Sequence, residues 1–192
     1  MKWMIASDLH GSAYYTSLML KAYEKEKAES LILLGDLLYH GPRNDLPLDY
    51  NPKRVLSLLN DFAQRPTSRL LCVRGNCDAE VDQMVLNFPI QATYAVMSAG
   101  SRLLFLTHGH ILGEQNPPHL KAGDILIQGH THVPSSLLKT DIYYLNPGSV
   151  ALPKEESWHG YLTMEITATK LKIKWKDLEG AKVNLNPLEL PL

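Results

Sequence analysis

The segment SLILLGD, residues 30–36, is an almost continuous apolar run that ends in glycine and aspartate. A run of this kind is typical of a strand that is buried on both faces of a parallel sheet. Two similar runs flank it along the chain, KWMIASD at residues 2–8 and RLLCVRGN at residues 69–76. Helical patterns separate the three runs, from Ser12 to about residue 28 and from Pro52 to about residue 64. This β-α-β-α-β order predicts a parallel sheet with helical crossovers.

The second half of the chain has shorter and more closely spaced apolar segments. Residues 93–109 are predicted to form two strands joined at Ala99-Gly100, and residues 161–179 a terminal hairpin in which apolar positions alternate from Leu171 to Trp175. We therefore expect an α/β fold with two packed sheets and helices outside them, in a single domain over residues 1–192. The second sheet should be the more antiparallel one. The tail, residues 182–192, is predicted to be a surface extension.

The composition of the chain limits the partners it can have. Its 192 residues carry a formal net charge of −1 with acidic and basic residues interspersed, which disfavours long nucleic acids as partners. The first apolar run is too short for a signal peptide, and no apolar stretch approaches the ~18 residues of a membrane span. Cys72 and Cys77 are the only cysteines. We expect a cytoplasmic protein with reduced cysteines and no membrane partner, and a homo-oligomer is compatible with the sequence.

Potential metal ligands follow the ends of five predicted strands. In open α/β sheets, ligands bind at the carboxyl ends of the strands. Mixed carboxylate and imidazole shells suit divalent ions such as Mn, Fe, Co, Ni and Zn. Seven donors are too many for one tetrahedral ion, but they suit two ions that share a bridging carboxylate. The seven are Asp8, His10, Asp36, Asn76, His108, His130 and His132.

Each of these donors also has an ordinary structural explanation. Asp8 could be the N-cap of the helix that begins near Ser12. Asp36 could cap a turn, and Asn76 is a typical turn residue. His108 could be a hydrogen-bonded histidine of the core. All of these explanations together would require unrelated coincidences at five strand ends, so the set favours a metal site.

The order of the motifs that carry these donors, D-x-H, G-D, G-N, H and G-H-x-H, resembles that of the calcineurin-like metallophosphoesterases. The segments GPRN, RGNCD, THGH, GHTH and LNPGS resemble more closely the small bacterial YfcE-type phosphodiesterases, from Met1 to about residue 177. The resemblance implies a four-layer α/β/β/α sandwich of two mixed sheets flanked by helices. It also implies a dinuclear metal centre at the ends of the strands.

The resemblance further implies how the donors divide between two ions. Manganese is the expected metal, with nickel, cobalt, iron or zinc as alternatives. Asp36 and Asn76 are expected to serve catalysis as well as metal binding. The implied ligands are, for the first ion, Asp8, His10 and His132, for the second ion Asn76, His108 and His130, and for both ions the bridging Asp36.

The implied activity is hydrolysis of small phosphodiesters by a metal-activated water. A phosphomonoesterase or a nuclease on the same centre is the alternative among enzymes. A non-catalytic scaffold is the alternative from another class, because the retromer scaffold subunit has a similar fold and fold does not fix function.

Four residues near the donors are candidates for binding the substrate, transferring protons or orienting a ligand. Arg43 and Asn44 lie in the loop after the bridging aspartate, and the planar fork of an arginine suits a phosphate oxygen. His110 and His40 are candidates for proton transfer or for orienting a ligand. The alternative for Arg43 is a solvated loop residue.

The chain departs from the pattern of many metallophosphoesterases at two positions. Those proteins have G-D-x-x-D and G-N-H-[DE], in which the histidine after asparagine protonates the leaving group and the second aspartate orients it. Here Tyr39 replaces that aspartate and Cys77 replaces that histidine. Cys77 is thus an imperfect substitute acid, or it fills a small gap. Asp78 could cap the helix that follows it or orient a ligand, and the cap is the prediction.

Overall fold

The computed structural model describes residues 1–192. Its helices are α1 (Ala13–Glu26), α2 (Pro52–Ala63) and α3 (Glu80–Val85). Its strands are β1 (Lys2–Ala6), β2 (Ser30–Leu33), β3 (Leu70–Cys72), β4 (Tyr94–Ala99), β5 (Arg102–Thr107), β6 (Ile125–Ile127), β7 (Ser135–Lys139), β8 (Ile142–Asn146), β9 (Gly160–Ile166), β10 (Lys170–Asp177) and β11 (Leu188–Pro191). None of the three helices has the length and apolarity that crossing a bilayer requires.

The first sheet has the strand order β11-β10-β9-β1-β2-β3. Strands β1, β2 and β3 are parallel, as the β-α-β-α-β pattern predicts. Strand β9 returns from the far end of the chain to pair antiparallel with β1, placing Lys2 opposite Glu165. The predicted terminal hairpin, β9 with β10, is confirmed, and it extends the first sheet.

The second sheet has the order β4-β5-β6-β8-β7, with β5, β6 and β8 parallel and the two outer pairs antiparallel. The expectation that this sheet would be the more antiparallel one is wrong, because β9 and β10 join the first sheet instead. The tail is also misassigned as a surface extension. Residues 188–191 form the edge strand β11 on β10, and Leu190 is buried there.

Side chains of the run SLILLGD pack into two different layers of the core. Successive side chains of a strand point to opposite faces. Leu31 and Leu33 therefore pack under α1 and α2, whereas Ile32 and Leu34 lie between the two sheets. All four are almost completely buried, which is why residues 31–34 include no polar side chain.

The helices begin where their capping residues predict. The Ser12 side chain accepts a hydrogen bond from the Tyr15 backbone N–H, and Asn51 caps α2 with Pro52 in its first turn. Asp8 is therefore not the N-cap of α1.

The predicted sandwich of two mixed sheets is confirmed. Helices α1 and α2 cover the outer face of the first sheet. Part of the outer face of the second sheet is covered by residues 111–123, which contain no helix. In this segment Leu112 and Leu120 pack on Phe105, Leu126 and Tyr144 of the sheet.

Candidate metal centre

The seven predicted donors come together where the carboxyl ends of both sheets meet. Loops after β1, β2 and β3 come from the first sheet, and loops after β5 and β6 from the second. Two hydrogen bonds join the loops across the sheets: the His130 backbone N–H donates to Asp8 Oδ2 at 3.0 Å, and His108 Nδ1 contacts the Leu34 carbonyl at 2.6 Å. The sheet ends are therefore held as one site.

Three of the donors form a compact first group. Asp8 Oδ1 lies 3.5 Å from His10 Nε2 and 3.2 Å from His132 Nε2, and the two imidazole nitrogens are 3.1 Å apart. A single ion can contact all three atoms, because donors around one ion lie at about this spacing.

A second group lies beside the first. His108 Nε2 is 3.0 Å from Asn76 Oδ1 and 3.2 Å from His130 Nδ1. Asp36 Oδ2 lies between the groups, 3.5 Å from His108 Nε2 and 3.7 Å from His10 Nε2. This is the position that a bridging carboxylate requires.

Backbone carbonyls fix the orientation of three of the imidazoles. The Nδ1 atoms of His10, His108 and His132 lie 2.9, 2.6 and 2.7 Å from the carbonyl oxygens of Tyr39, Leu34 and Leu152. A carbonyl can only accept, so each Nδ1 carries the proton. In the neutral imidazole each Nε2 then presents its lone pair to the centre, as a metal-binding histidine needs.

The backbone at the site is unusual. Five of the seven donors have a left-handed backbone, a conformation in which aspartate and histidine are several-fold enriched among non-glycine residues. Each such residue costs on the order of 1–3 kcal/mol, and such costs concentrate at functional sites. The φ angles are 60° for Asp8, 45° for His10, 56° for Asp36, 67° for His130 and 63° for His132.

Asp78 does not cap α3, which has Ala79 at its N-cap, so that prediction is wrong. Its buried carboxylate accepts hydrogen bonds from three backbone N–H groups, those of Asp36 at 2.9 Å, Leu37 at 2.8 Å and Gly75 at 2.7 Å. Asp78 thus ties together the loops after β2 and β3.

Two observations test whether a cation fits this centre. Asp8 Oδ1 is buried and has no hydrogen-bond partner, which is costly for a carboxylate unless a cation is bound to it. Burial opposes ionisation of Asp8, but the adjoining imidazoles of His10 and His132 outweigh it and hold the pKa of Asp8 well below its ordinary value. The carboxylate is therefore charged and open to a divalent ion.

An open cavity of about 580 Å³ lies over the donors. Four other predicted site residues, Arg43, Asn44, Cys77 and His110, line it. His40 does not. Its ring packs between other side chains, and its Nδ1 is buried without a partner.

Cys77 and His110 are both poor proton donors in different ways. Burial, reinforced by the charge of Asp36, raises the pKa of Cys77 to about 12, so its thiol keeps its proton at neutral pH. Burial and the neighbouring His108 lower the pKa of His110, so its imidazole is neutral there. The ring centroids of His110 and His108 are 5.3 Å apart. Tyr39 does not line the cavity and holds His10 only through its carbonyl.

Sequence reasoning missed several cavity residues. Gln128, Thr131 and Lys154 line the cavity, and so does Glu114. Thr131 lies between two predicted ligands, which was a usable signal. Lys154 comes from the loop after β8, and nothing in its local sequence points to the site.

A sequence model of the calcineurin-like phosphoesterase superfamily domain matches residues 1–169. The chain belongs to the calcineurin-like phosphoesterase superfamily. Within that superfamily, it is 47% identical over 154 residues to phosphodiesterase YfcE of Escherichia coli K12, covering 80% of this chain and 82% of YfcE. The predicted resemblance to the YfcE-type proteins is thereby confirmed.

A solved structure of YfcE and a second relative extend the likeness. A solved structure of YfcE, described as a phosphoesterase from E. coli, superposes with a TM-score of 0.88 at 40% identity and covers 98% of each chain. The probable metallophosphoesterase YsnB of Bacillus subtilis is 24% identical over 190 residues, 95% of each chain. The predicted metallophosphoesterase fold is confirmed.

Proposed function

We propose that this chain is a metal-dependent phosphodiesterase that hydrolyses small phosphodiesters at a dinuclear centre. The observation that carries the proposal is the arrangement of six donors in two groups, with Asp36 Oδ2, from the seventh donor, between them. The name of the E. coli relative, phosphodiesterase YfcE, agrees with it. Superfamily membership makes the chain a hydrolase of phosphate esters.

The residues would divide the work as follows. Asp8, His10 and His132 would hold one ion, and Asn76, His108 and His130 the other, with Asp36 between them. Two divalent ions bound there would acidify a water and offset charge on the phosphoryl oxygens during in-line displacement. The Nδ1–H···O=C contacts described above keep three imidazoles aimed at the centre without rearrangement.

The metal stoichiometry tests the proposal directly. A crystal grown with manganese should contain two ions per chain that share Asp36, and metal-free protein should take up two equivalents in solution. One ion, or none, at saturating manganese would contradict the dinuclear centre. Parallel assays with Ni, Co, Fe and Zn would rank the alternatives.

Arg43→Ala is expected to lower kcat/KM for bis(4-nitrophenyl) phosphate by roughly 10- to 100-fold. Arg43 is exposed at the cavity and makes no hydrogen bond or ion pair within the chain, so its guanidinium is free for a phosphate oxygen. A hydrogen bond from a charged group contributes about 1.5–3 kcal/mol. Arg65→Ala, which removes an arginine away from the cavity, is the control. An unchanged kcat/KM in Arg43→Ala would make Arg43 an ordinary loop residue.

The rate should depend steeply on the pKa of the leaving group. Cys77 stands where a protonating histidine would be, and its raised pKa makes it a weak acid. A good general acid contributes roughly 10²–10⁴-fold, most for poor leaving groups. We therefore expect clear activity on aryl diesters and weaker activity on alkyl diesters, measured as kcat/KM across a series of leaving groups.

The double variant Cys77→His with Tyr39→Asp extends this prediction. It should reduce the difference in kcat/KM between aryl and alkyl diesters, whereas Cys77→His alone should not. A flat dependence in the wild type, with chemistry rate-limiting, would show that another group supplies the proton. His110 is then the candidate, because His40 does not line the cavity.

The other readings remain distinguishable. A phosphomonoesterase would hydrolyse 4-nitrophenyl phosphate faster than the diesters, and a nuclease would cleave oligonucleotides. A scaffold would hydrolyse none of these esters with any of the metals, and the complete set of donors argues against it. The single domain over residues 1–192, the cytoplasmic location and any homo-oligomer stay predictions.

A further inference from the structure

The metal cavity has a cationic side chain on each of two sides. Arg43 lies in the loop after β2, on the side of Cys77, and Lys154 lies in the loop after β8, beside His132. They are the only lysine and arginine that line the cavity. The proposed phosphodiesterase activity uses Arg43 and leaves Lys154 without a role.

The backbone of Lys154 is fixed to the site. Its N–H donates to the His132 carbonyl at 3.3 Å, and its carbonyl accepts the Ser157 N–H at 3.1 Å. The intervening residues, Glu155 and Glu156, both have a left-handed backbone and close a tight turn. Lys154 therefore starts from a defined position next to a predicted ligand.

The ammonium group of Lys154 has no partner in the chain. It forms no ion pair and no side-chain hydrogen bond, although the turn contains two glutamates. Those glutamates do not line the cavity. The one acidic cavity residue outside the metal groups, Glu114, is already paired with Lys139. Lys154 is thus a free positive charge at the cavity wall.

A neutral donor, Thr131, directly precedes His132, whose carbonyl accepts the Lys154 N–H. Thr131 Oγ1 accepts hydrogen bonds from the Val133 N–H at 3.3 Å and from Asn146 Nδ2 at 3.0 Å. A hydroxyl oxygen has two lone pairs, so its own proton remains to be donated. Because Thr131 lines the cavity, that proton is available to an acceptor there.

We propose that Lys154, with the Thr131 hydroxyl, forms a subsite for a second anionic group, a carboxylate or phosphate carried by the ester group that stays on phosphorus. The proposal rests on the proposed diesterase activity. Cys77 marks the side of the leaving group and Arg43 serves the scissile phosphate, so the retained ester extends towards Lys154. Lys154 is then a specificity-determining residue for doubly anionic diesters.

A matched pair of substrates tests the subsite. They are 4-nitrophenyl phenyl phosphate and 4-nitrophenyl 4-carboxyphenyl phosphate, which share a leaving group and differ by one charge on the retained ester. The wild type with manganese should prefer the carboxylated ester in kcat/KM. Lys154→Gln should reduce that preference about 2- to 5-fold, through KM, as the loss of one ionic contact of a solvent-exposed lysine predicts. Lys154→Arg should keep most of it.

A binding measurement accompanies the kinetics. Titration calorimetry with the two product monoesters should show that the wild type binds 4-carboxyphenyl phosphate more tightly than phenyl phosphate. In Lys154→Gln this difference in affinity should be smaller. High salt should weaken the preference in the wild type. Lys53 is an exposed lysine on α2 away from the cavity. Lys53→Gln should therefore leave the ratio of the two affinities unchanged.

The outcomes separate the two proposals. If the wild type hydrolyses neither ester, the diesterase proposal fails and the subsite fails with it. If it hydrolyses both without preference, the subsite alone is overturned. If Lys154→Gln slows both esters equally, Lys154 serves the scissile phosphate and the subsite is again overturned.

Discussion

Asp36→Asn is expected to lower kcat on an aryl diester by at least about 10³-fold, roughly 4 kcal/mol of transition-state stabilisation. Asp36 Oδ2 is the only donor atom within 3.7 Å of imidazoles from both groups, so an amide there weakens both metal positions at once. The fold should survive, because Oδ1 of an asparagine can still accept the hydrogen bond that the Cys77 backbone N–H donates at 2.8 Å.

The controls for this prediction separate metal loss from unfolding. Asp61→Asn changes an exposed aspartate of α2 and should leave kcat and metal content unchanged. His132→Ala should be as inactive as Asp36→Asn, since it removes one of the three donors of the first group. If Asp36→Asn or His132→Ala kept more than about a tenth of the wild-type kcat, a loss of only ~1.4 kcal/mol, the assignment of that residue as a metal ligand would be wrong. Metal analysis and circular dichroism complete the measurement.

Gly75→Ala is expected to lower the free energy of unfolding by about 3 kcal/mol or more and to abolish metal binding. A Cβ at Gly75 would lie 2.1 Å from Asp36 Oδ1 and 2.4 Å from the Asp36 backbone nitrogen. Neither atom can yield without moving the loop that Asp78 holds by three hydrogen bonds. Overpacking of this kind typically costs 1–3 kcal/mol, and more where backbone must shift.

Gly180→Ala is the matched control for this variant. Gly180 has a φ of 85°, but a Cβ there would meet nothing within 4 Å. It should lose about 1–2 kcal/mol from backbone strain and keep its metal. Chemical denaturation of both variants, with and without manganese, measures the difference. Equal losses of stability, with metal binding intact in Gly75→Ala, would contradict the close-approach argument.

The parts of the fold that follow from local pattern were predictable. The double-sided apolar run of β2 predicted a central strand, and Ser12 and Pro52 marked helix starts that the structure confirms. Sheet membership was not predictable, because the alternation in β10 indicates one buried face and not which sheet the strand extends. The strand at Leu188–Pro191 was missed because Pro187 precedes it and Pro191 ends it, and because residues typical of turns come before it.

In the site, too, some features follow from local sequence pattern and others do not. The predicted donors lie together because each follows a strand, and parallel strands bring their carboxyl ends to one edge. Asp78 was misjudged because aspartate before a helix normally caps it, whereas here three backbone N–H groups of distant loops bind its carboxylate. Lys154 was missed because its place at the cavity depends on a turn and on one hydrogen bond to the His132 carbonyl.

The pairing of β1 with β9 has a consequence for how the chain is made. During synthesis, residues 2–5 emerge about 160 positions before the strand that covers one of their edges. His130 and His132 also emerge late, so neither group of donors is complete until residue 132 has been made. Pairings between distant segments fold slowly and leave strand edges open to aggregation. We therefore expect metal to enter only after nearly the whole polypeptide has left the ribosome, and truncation before residue 160 to yield insoluble protein.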